Sequence, residues 1–562
     1  MEYNPSNPLI VQSDKTIMLE VNNLLFEEAR NAISRFAEII KSPEYIHTYK
    51  ITPLSLWNAA SSGMRCSEII ESLEKYGKYA LPENIKKDII DYVERYGKVK
   101  LFKENGDLIL RSEDYLLITE IENNKKVKPY ILGKINANTL IVDPMMRGNI
   151  KHILLKIGFP VEDLAGYTEG TSLKINLKSK TKKGKEFSLR KYQKDAVDIF
   201  HAGGSSAGGS GVIVLPCGAG KTIVGMGAMD RLKCETLILT TNITAVKQWK
   251  QEIIDKTDIK ADMIGEYTGE TKEIKPITVC TYQILTYRKK KDVEFPHFNL
   301  FTSKNWGLII YDEVHLLPAP VFRVTAEIQA MRRLGLTATL IREDGLEEDV
   351  FSLIGPKKYD VPWKEMEREG WIATASCVEI RVPMSTEQRV EYASSSTKEQ
   401  FRIASENENK MIAVERILKK HKNDNVLIIG QYINQLEKLA EQLKAPIITG
   451  KTPTAERAEL YERFKTGKNK KLIVSKVANF AIDLPDANVA IQISGTFGSR
   501  QEEAQRLGRL LRPKSEQNQA TFYSIVTKET KDEQYASNRQ LFLTEQGYKY
   551  RIVNLEELTN EV

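Results

Sequence analysis

The eight residues Leu215–Thr222, LPCGAGKT, hold the densest chemistry in the chain. They follow a short apolar run, Val212–Leu215, and precede a helical pattern, the setting in which a glycine-rich turn becomes a phosphate-binding loop. In a nucleotide-binding loop of Pro216, Cys217, Gly218, Ala219 and Gly220, the last three would let backbone N–H groups close around phosphate oxygens, with the helix N-terminus adding favourable partial charge. Lys221 brings a point charge to the β- and γ-phosphates, and the Thr222 hydroxyl is a ligand for Mg²⁺. Leu215 stands where the strict pattern has its first glycine. About ninety residues on, YDEVH (Tyr311–His315) closes the apolar run Leu308–Tyr311. A carboxylate at a strand's carboxyl end, facing the loop, can hold the metal, a role for Asp312; Glu313 can then orient and deprotonate an attacking water. The chemistry is hydrolysis of a nucleoside triphosphate.

Two further groups extend it. Thr337–Thr339, TAT, ends the next apolar run, where hydroxyls could relay the nucleotide state to a neighbouring cleft or simply serve strand propensity. In QRLGRLLR, Gln505, Arg509 and Arg512 recur three to four residues apart and share a helix face. Phosphoryl transfer needs cations against charge developing on the γ-phosphate, so Arg509 and Arg512 are candidate arginine fingers across an interdomain cleft; a solvated basic helix is the plainer reading.

These residues need strands ending on one edge. From Leu189 short apolar runs alternate with helical patterns: GVIVL, TLILT, ITVC, GLIIYDE and LGLTAT, then NVLIIG, PIITG, KLIVS, NVAIQIS and TFYSIV. Near-continuous apolar strands of this length belong to parallel sheets buried on both faces, and two series predict two doubly wound α/β domains in tandem, 181–362 and 363–562. Met384–Glu408 reads as an irregular polar stretch, either an inserted element or a mobile excursion. His201–Gly211 reads as a flexible connector, and Lys174–Lys185 as a basic linker. Upstream, residues 98–180 read as a small α/β unit containing a strand at Thr139–Val142 and a basic amphipathic helix at Arg147–Gly158. Residues 1–97 read as mostly helical, with two short strands in Pro8–Val21 and a helix carrying Ile85, Ile89 and Val93 on one face. With the hairpin signal at Asn105-Gly106, the helices suggest a winged-helix-like module, a shape that binds DNA or protein.

Composition limits the remaining classes. The chain has 562 residues, 41% of them apolar, and a net charge of +7, which permits nucleic-acid binding without requiring it. No apolar run approaches membrane-spanning length, the start lacks a signal-peptide pattern, and five scattered cysteines form no CxxC pair, so a reducing, cytoplasmic setting without a membrane partner is expected.

In its ordered motifs the chain resembles the XPB family of superfamily 2 DNA helicases, in a compact bacterial form. LRKYQ (Leu189–Gln193), LPCGAGKT, QWK (Gln248–Lys250), TYQ (Thr281–Gln283), DEVH, GLTAT, IREDG, VSKVANFAIDLPDANVAIQIS and GSRQEEAQRLGR carry the likeness, as do SPEYIHTYKITPLSLWNAASSG and FLTEQGYKYRIV near the two ends. The resemblance implies two RecA-like motor domains and an ATP- and Mg²⁺-dependent 3′–5′ DNA helicase or translocase acting in nucleotide excision repair. An ATP-gated DNA-opening switch, or a double-strand translocase with little unwinding, is the alternative. It implies adenine reading by Arg190 and Gln193, ribose contact by Asp483, and a strand-separating wedge of Arg342, Glu343 and Asp344. DNA contacts would fall to Thr241, Asn242, Tyr282, Gln283, Gln431, Ser475 and Lys476, gripping single- or double-stranded DNA independently of sequence. Residues 98–178 would be a damage-recognition domain and 384–408 a short thumb, in a monomer that could work with a repair nuclease.

Overall fold

The computed structural model describes residues 3–42, 45–216, 218–288, 295–329, 331–340, 342, 345–361, 363–475, 487–495 and 519–559. Near the N-terminus, alternating apolar residues form β1 (Leu9–Val11), β2 (Thr16–Glu20), β3 (Glu38–Lys41) and β4 (Ile46–Lys50), an antiparallel sheet of order β1-β2-β4-β3. Ile17, Leu19 and Tyr49 turn from this sheet into a core closed by helices Phe26–Ile33, Pro53–Ser61, Cys66–Tyr76 and Glu83–Arg95. Ile85, Ile89 and Val93 are buried together on the last of these, as their spacing predicts.

The hairpin at Asn105-Gly106 forms, but not as a wing of these helices. Its strands β5 (Val99–Glu104) and β6 (Asp107–Arg111) join β7 (Ile131–Asn136), β8 (Thr139–Val142) and β9 (Val161–Asp163) in a separate sheet of order β7-β8-β6-β5-β9. The winged-helix reading is therefore corrected. Leu108, Ile109 and Leu110 are buried in succession, so β6 belongs between two neighbours rather than at the free edge of a wing. Helices Tyr115–Asn123 and Arg147–Lys156 cover this sheet.

Two seven-stranded sheets follow, and every pairing among their described strands is parallel. The first comprises β10 (Ser210–Val214), β11 (Thr236–Thr240), β12 (Ile264–Tyr267), β13 (Ile277–Thr281), β14 (Leu308–Asp312), β15 (Arg332–Thr337) and β16 (Lys357–Asp360), ordered β12-β13-β11-β14-β15-β10-β16. The second comprises β17 (Thr374–Val382), β18 (Val426–Gly430), β19 (Ile447–Ile448), β20 (Lys471–Ser475), β21 (Val489–Gln492), β22 (Gln519–Thr527) and β23 (Tyr550–Asn554), ordered β19-β20-β18-β21-β22-β17-β23. Helices cover both faces, which is why the central strands read as unbroken apolar runs. The α/β fold with two tandem parallel sheets, preceded by an α/β and helical region, stands.

Two connectors are more structured than their composition suggests. The Lys174–Lys185 run is strapped to the first parallel unit. Asn176 bonds the Asp258 carboxylate through backbone N and side-chain Nδ2, 2.7 Å each, and the backbone N–H groups of Lys178 and Lys182 donate to Lys256 O and Asp255 Oδ1. Met384–Glu408 is not irregular: it folds into helices Thr386–Ser394 and Thr397–Ser405, opened by Ser385 and Ser396 caps, with Phe401 buried edge-on against Tyr535 at 5.0 Å. The five-stranded unit is fixed to the first parallel sheet by a buried charge cluster. Asp163 accepts two bonds from Arg147 (2.7 and 3.0 Å) and one from Lys151 (2.9 Å), and Lys151 also reaches Gln329 Oε1 at 2.7 Å. Burial pushes Asp163 up, but Lys151 and Arg147 outweigh it and hold the carboxyl well below its usual range; burial pushes Lys151 down to about 8.

Candidate active site

In the first parallel sheet β15 separates β10, which feeds the phosphate loop, from β14, which ends in the acid pair, so both open on the same carboxyl edge. Gly218 (φ +83°) and Gly220 (φ +82°) take the left-handed conformation that the turn requires. A Cβ on Gly220 would also lie 2.6 Å from Gln193 Nε2. The Ala219 carbonyl accepts from Tyr192 Oη at 2.8 Å and Gln193 Nε2 at 2.9 Å, tying the loop to helix Lys191–His201. Lys221 and Thr222 begin helix Lys221–Leu232. Lys221 Nζ reaches across the end of β15 to Glu313 Oε1 at 3.2 Å.

The acid pair is held from several sides. Asp312 Oδ2 accepts from the Trp249 indole N–H at 2.8 Å, Oδ1 accepts from Glu313 N at 3.1 Å, and the Asp312 carbonyl accepts from Tyr282 Oη at 2.8 Å. Glu313 sits at φ +49°, a left-handed conformation costing a non-glycine residue about 1–3 kcal/mol. Burial and then the neighbouring Glu313 push the Asp312 carboxyl up to about 6, opposed by Trp249 and Lys221. Burial also raises Glu313, but the Lys221 ammonium outweighs it and holds that carboxyl below its ordinary value. Two adjacent acids pushed apart in this way suit different roles, and the lowered one is the better seat for an ionised base. Glu313 Oε2 is buried and, among the described residues, finds no hydrogen-bond partner.

A relay runs outward from the pair. His315 Nδ1 meets Thr337 Oγ1 at 2.7 Å, and Thr337 Oγ1 also bonds the Thr339 carbonyl at 2.5 Å, so TAT touches the acid segment directly. Burial drops His315 to about 4, which keeps it neutral near pH 7. Among the described residues no three His, Cys, Asp or Glu gather as a metal cage. One hydroxyl and one carboxylate, Thr222 and Asp312, fit Mg²⁺, which keeps waters and phosphate oxygens as its other ligands.

Several expected contacts are turned inward. Tyr282 is buried with its hydroxyl on Asp312, so it is not an exposed DNA contact; the exposed neighbour is Gln283. Arg342 is buried too. Its guanidinium donates to the His315 and Leu317 carbonyls at 2.8 and 3.2 Å and lies 5.0 Å from the Phe322 ring centre, which removes it from the surface of any wedge. Gln193 spends its carboxamide inside the chain, accepting from Arg190 N at 3.0 Å and donating to Ala219 O, so adenine reading would require it to share these bonds. Arg190 stacks at 4.5 Å on Trp371, which follows the interdomain helix Trp363–Arg368, and donates to Tyr192 Oη at 3.1 Å. Thr241 and Asn242 lie half-buried after β11, where Asn242 Oδ1 caps helix Ile243–Lys256 by accepting from Ala245 N. Gln431 follows β18 and Ser475 ends β20, and among the described residues the buried Gln431 Oε1 and Ser475 Oγ find no hydrogen-bond partner. Cys217, Glu343, Asp344, Lys476, Asp483, Gln505, Arg509 and Arg512 lie outside the described residues.

Sequence reasoning assigned no role to Trp249, His315, Tyr192 or Trp371. The first three lie in or beside QWK, DEVH and LRKYQ, where the signal was present; Trp371 had none, because its partner Arg190 is distant in sequence.

Comparison with known proteins covers almost the whole chain. The model of the ERCC3/RAD25/XPB C-terminal helicase matches residues 366–562, that of the type III restriction enzyme res subunit 186–342, and one described as helicase conserved C-terminal domain 9–136. The DNA 3′-5′ helicase XPB of Mycobacterium tuberculosis is 52% identical over 552 residues, 98% of each chain. That of Kineococcus radiotolerans is 50% identical, covering 99% of this chain and 98% of its own. The general transcription and DNA repair factor IIH helicase/translocase subunit XPB of Enterocytozoon bieneusi is 34% identical, covering 98% of this chain and 93% of its own. With the phosphate loop, the acid pair and the Lys221–Glu313 bridge between them in place, this coverage establishes that the chain belongs to the XPB family of DNA helicases.

Proposed function

We propose that the chain is an ATP-driven 3′–5′ DNA helicase or translocase that opens DNA in nucleotide excision repair, working in the cytoplasm as a monomer alongside a repair nuclease. The observation that carries this is the Lys221–Glu313 bridge, which joins the phosphate loop to the acid pair across β15. A γ-phosphate at Lys221 competes with Glu313 for the ammonium and frees the carboxylate to take a proton from water. Thr222 and Asp312 would hold Mg²⁺, which neutralises phosphate charge. Gln505, Arg509 and Arg512 complete the site from the second motor unit in this reading, Asp483 meets the ribose, and Thr241, Asn242, Gln283, Gln431, Ser475 and Lys476 step along the phosphate backbone. The division at 97/98, 180/181 and 362/363 belongs to the same reading, with 98–178 probing damage and the helix pair near 384–408 as a short thumb.

The inward Arg342 favours a second reading, an ATP-gated DNA-opening switch or double-strand translocase with little processive unwinding. Strand displacement on 3′-tailed, 5′-tailed and forked duplexes, run beside a translocation assay, separates the two. Displacement of the 3′-tailed substrate supports the helicase, whereas translocation without displacement supports the second reading. ATP hydrolysis indifferent to DNA refutes both.

A further inference from the structure

Two segments expected to touch DNA end on the same carboxylate-bearing residue. The first is helix Ile243–Lys256, capped by Asn242 beside Thr241. Seven residues along it, about 10 Å of helix rise, Trp249 is buried with its indole N–H on Asp312 Oδ2 at 2.8 Å. The ring packs closely over Gly225 of the phosphate-loop helix, where a side chain's Cβ would lie 2.6 Å from Trp249 Cη2 and 3.4 Å from Ile310 Cδ1. The second segment follows β13, where exposed Gln283 adjoins buried Tyr282, whose hydroxyl donates to the Asp312 backbone carbonyl at 2.8 Å. One bond fixes the Asp312 side chain and the other its main chain.

We propose that Trp249 and Tyr282 are positioning residues that couple DNA engagement to ATP hydrolysis, by setting Asp312 when DNA loads the segments at Thr241–Asn242 and Gln283. This rests on the helicase reading above, in that half-buried Thr241 and Asn242 and exposed Gln283 meet DNA. Both side chains are buried and spend their polar atoms on Asp312, so each acts through Asp312. A buried indole or phenol needs some hydrogen-bond partner, and a purely structural role would be met by any acceptor. Here two donors from two segments converge on one residue, and that convergence is what a coupler requires.

The test uses the full chain, Tyr282→Phe, which removes only a hydroxyl, and Trp249→Phe, which removes the N–H and keeps an aromatic ring. ATP hydrolysis is titrated with a 3′-tailed duplex and with Mg²⁺, DNA affinity is measured by fluorescence anisotropy, and folding by thermal melting. Each variant should bind DNA within about twofold of wild type while its maximal DNA stimulation, the ratio of saturated to DNA-free rate, falls about fivefold, the effect of one lost hydrogen bond. Trp249→Phe should also need more Mg²⁺ for half-maximal rate. An unchanged stimulation ratio in a normally melting Tyr282→Phe protein overturns the proposal, and decides alone if Trp249→Phe fails to fold. Weakened DNA affinity with full stimulation at saturation overturns it as well, making Tyr282 a DNA contact. A wild-type rate that ignores DNA removes the helicase reading itself, a result distinguishable from both.

Discussion

At the scale of single residues, the site is a set of buried groups whose neighbours decide their charge. Glu313 pairs with Lys221 at 3.2 Å and is held ionised, so Glu313→Gln should still bind ATP while single-turnover hydrolysis falls by at least about 100-fold. Wild-type-like hydrolysis in that variant would remove the base assignment. Arg342 gives a second prediction. It braces the carbonyls of His315 and Leu317, immediately after the acid pair, so Arg342→Ala should depress ATP hydrolysis and strand displacement together. Loss of displacement with hydrolysis intact would return Arg342 to a wedge.

At the scale of elements, stability is concentrated at seams. Asp163→Asn would leave Arg147 and Lys151 as buried, unbalanced cations and should cost about 3–5 kcal/mol in denaturant unfolding. A change under 1 kcal/mol, roughly the worth of an exposed pair, would mean the cluster is solvated. His47, buried on β4 against Phe26, is pushed down to about 4 by burial, with Lys549 and Arg30 adding to it. Between pH 6.5 and 4 the unfolded chain binds a proton there that the folded chain does not. Stability is therefore full above pH 6.5 and falls through that window, by about 3 kcal/mol if the site acts alone. A His47→Leu variant should flatten that part of the pH profile, measured by thermal melting. What was legible in the sequence follows from the same distinction. The central strands β11, β13 and β18 announced themselves because burial on both faces leaves unbroken apolar runs. Edge strands β16, reading KKYD, and β23, reading YRIVN, keep polar residues on an open side, and β17 hides behind Glu379 and Arg381, which pair at 2.7 Å. The local turn of the β5–β6 hairpin was readable but its sheet was not, since neighbours are chosen by contacts distant in sequence. Loop and acid pair were legible as motifs; Trp249 on Asp312 was not, because nothing in sequence sets a helix side chain beside a strand end.

At the scale of the whole molecule, a net charge of +7 over 562 residues is small, so DNA must be gripped by a local basic track if it is gripped electrostatically. The half-saturating DNA concentration for ATP hydrolysis should then rise by more than about tenfold between roughly 50 and 200 mM salt, through counterion release. A flat salt profile would point to stacking or shape recognition instead. The Arg190–Trp371 stack has a practical consequence of its own. Trp57, Trp249, Trp306 and Trp363 are buried, whereas Trp371 keeps partial solvent access and lies under a guanidinium next to the phosphate loop. Its emission is sensitive to that cation and to water, so the chain carries an intrinsic optical gauge at the seam of its motor units, one that can time nucleotide binding in stopped flow without an attached dye.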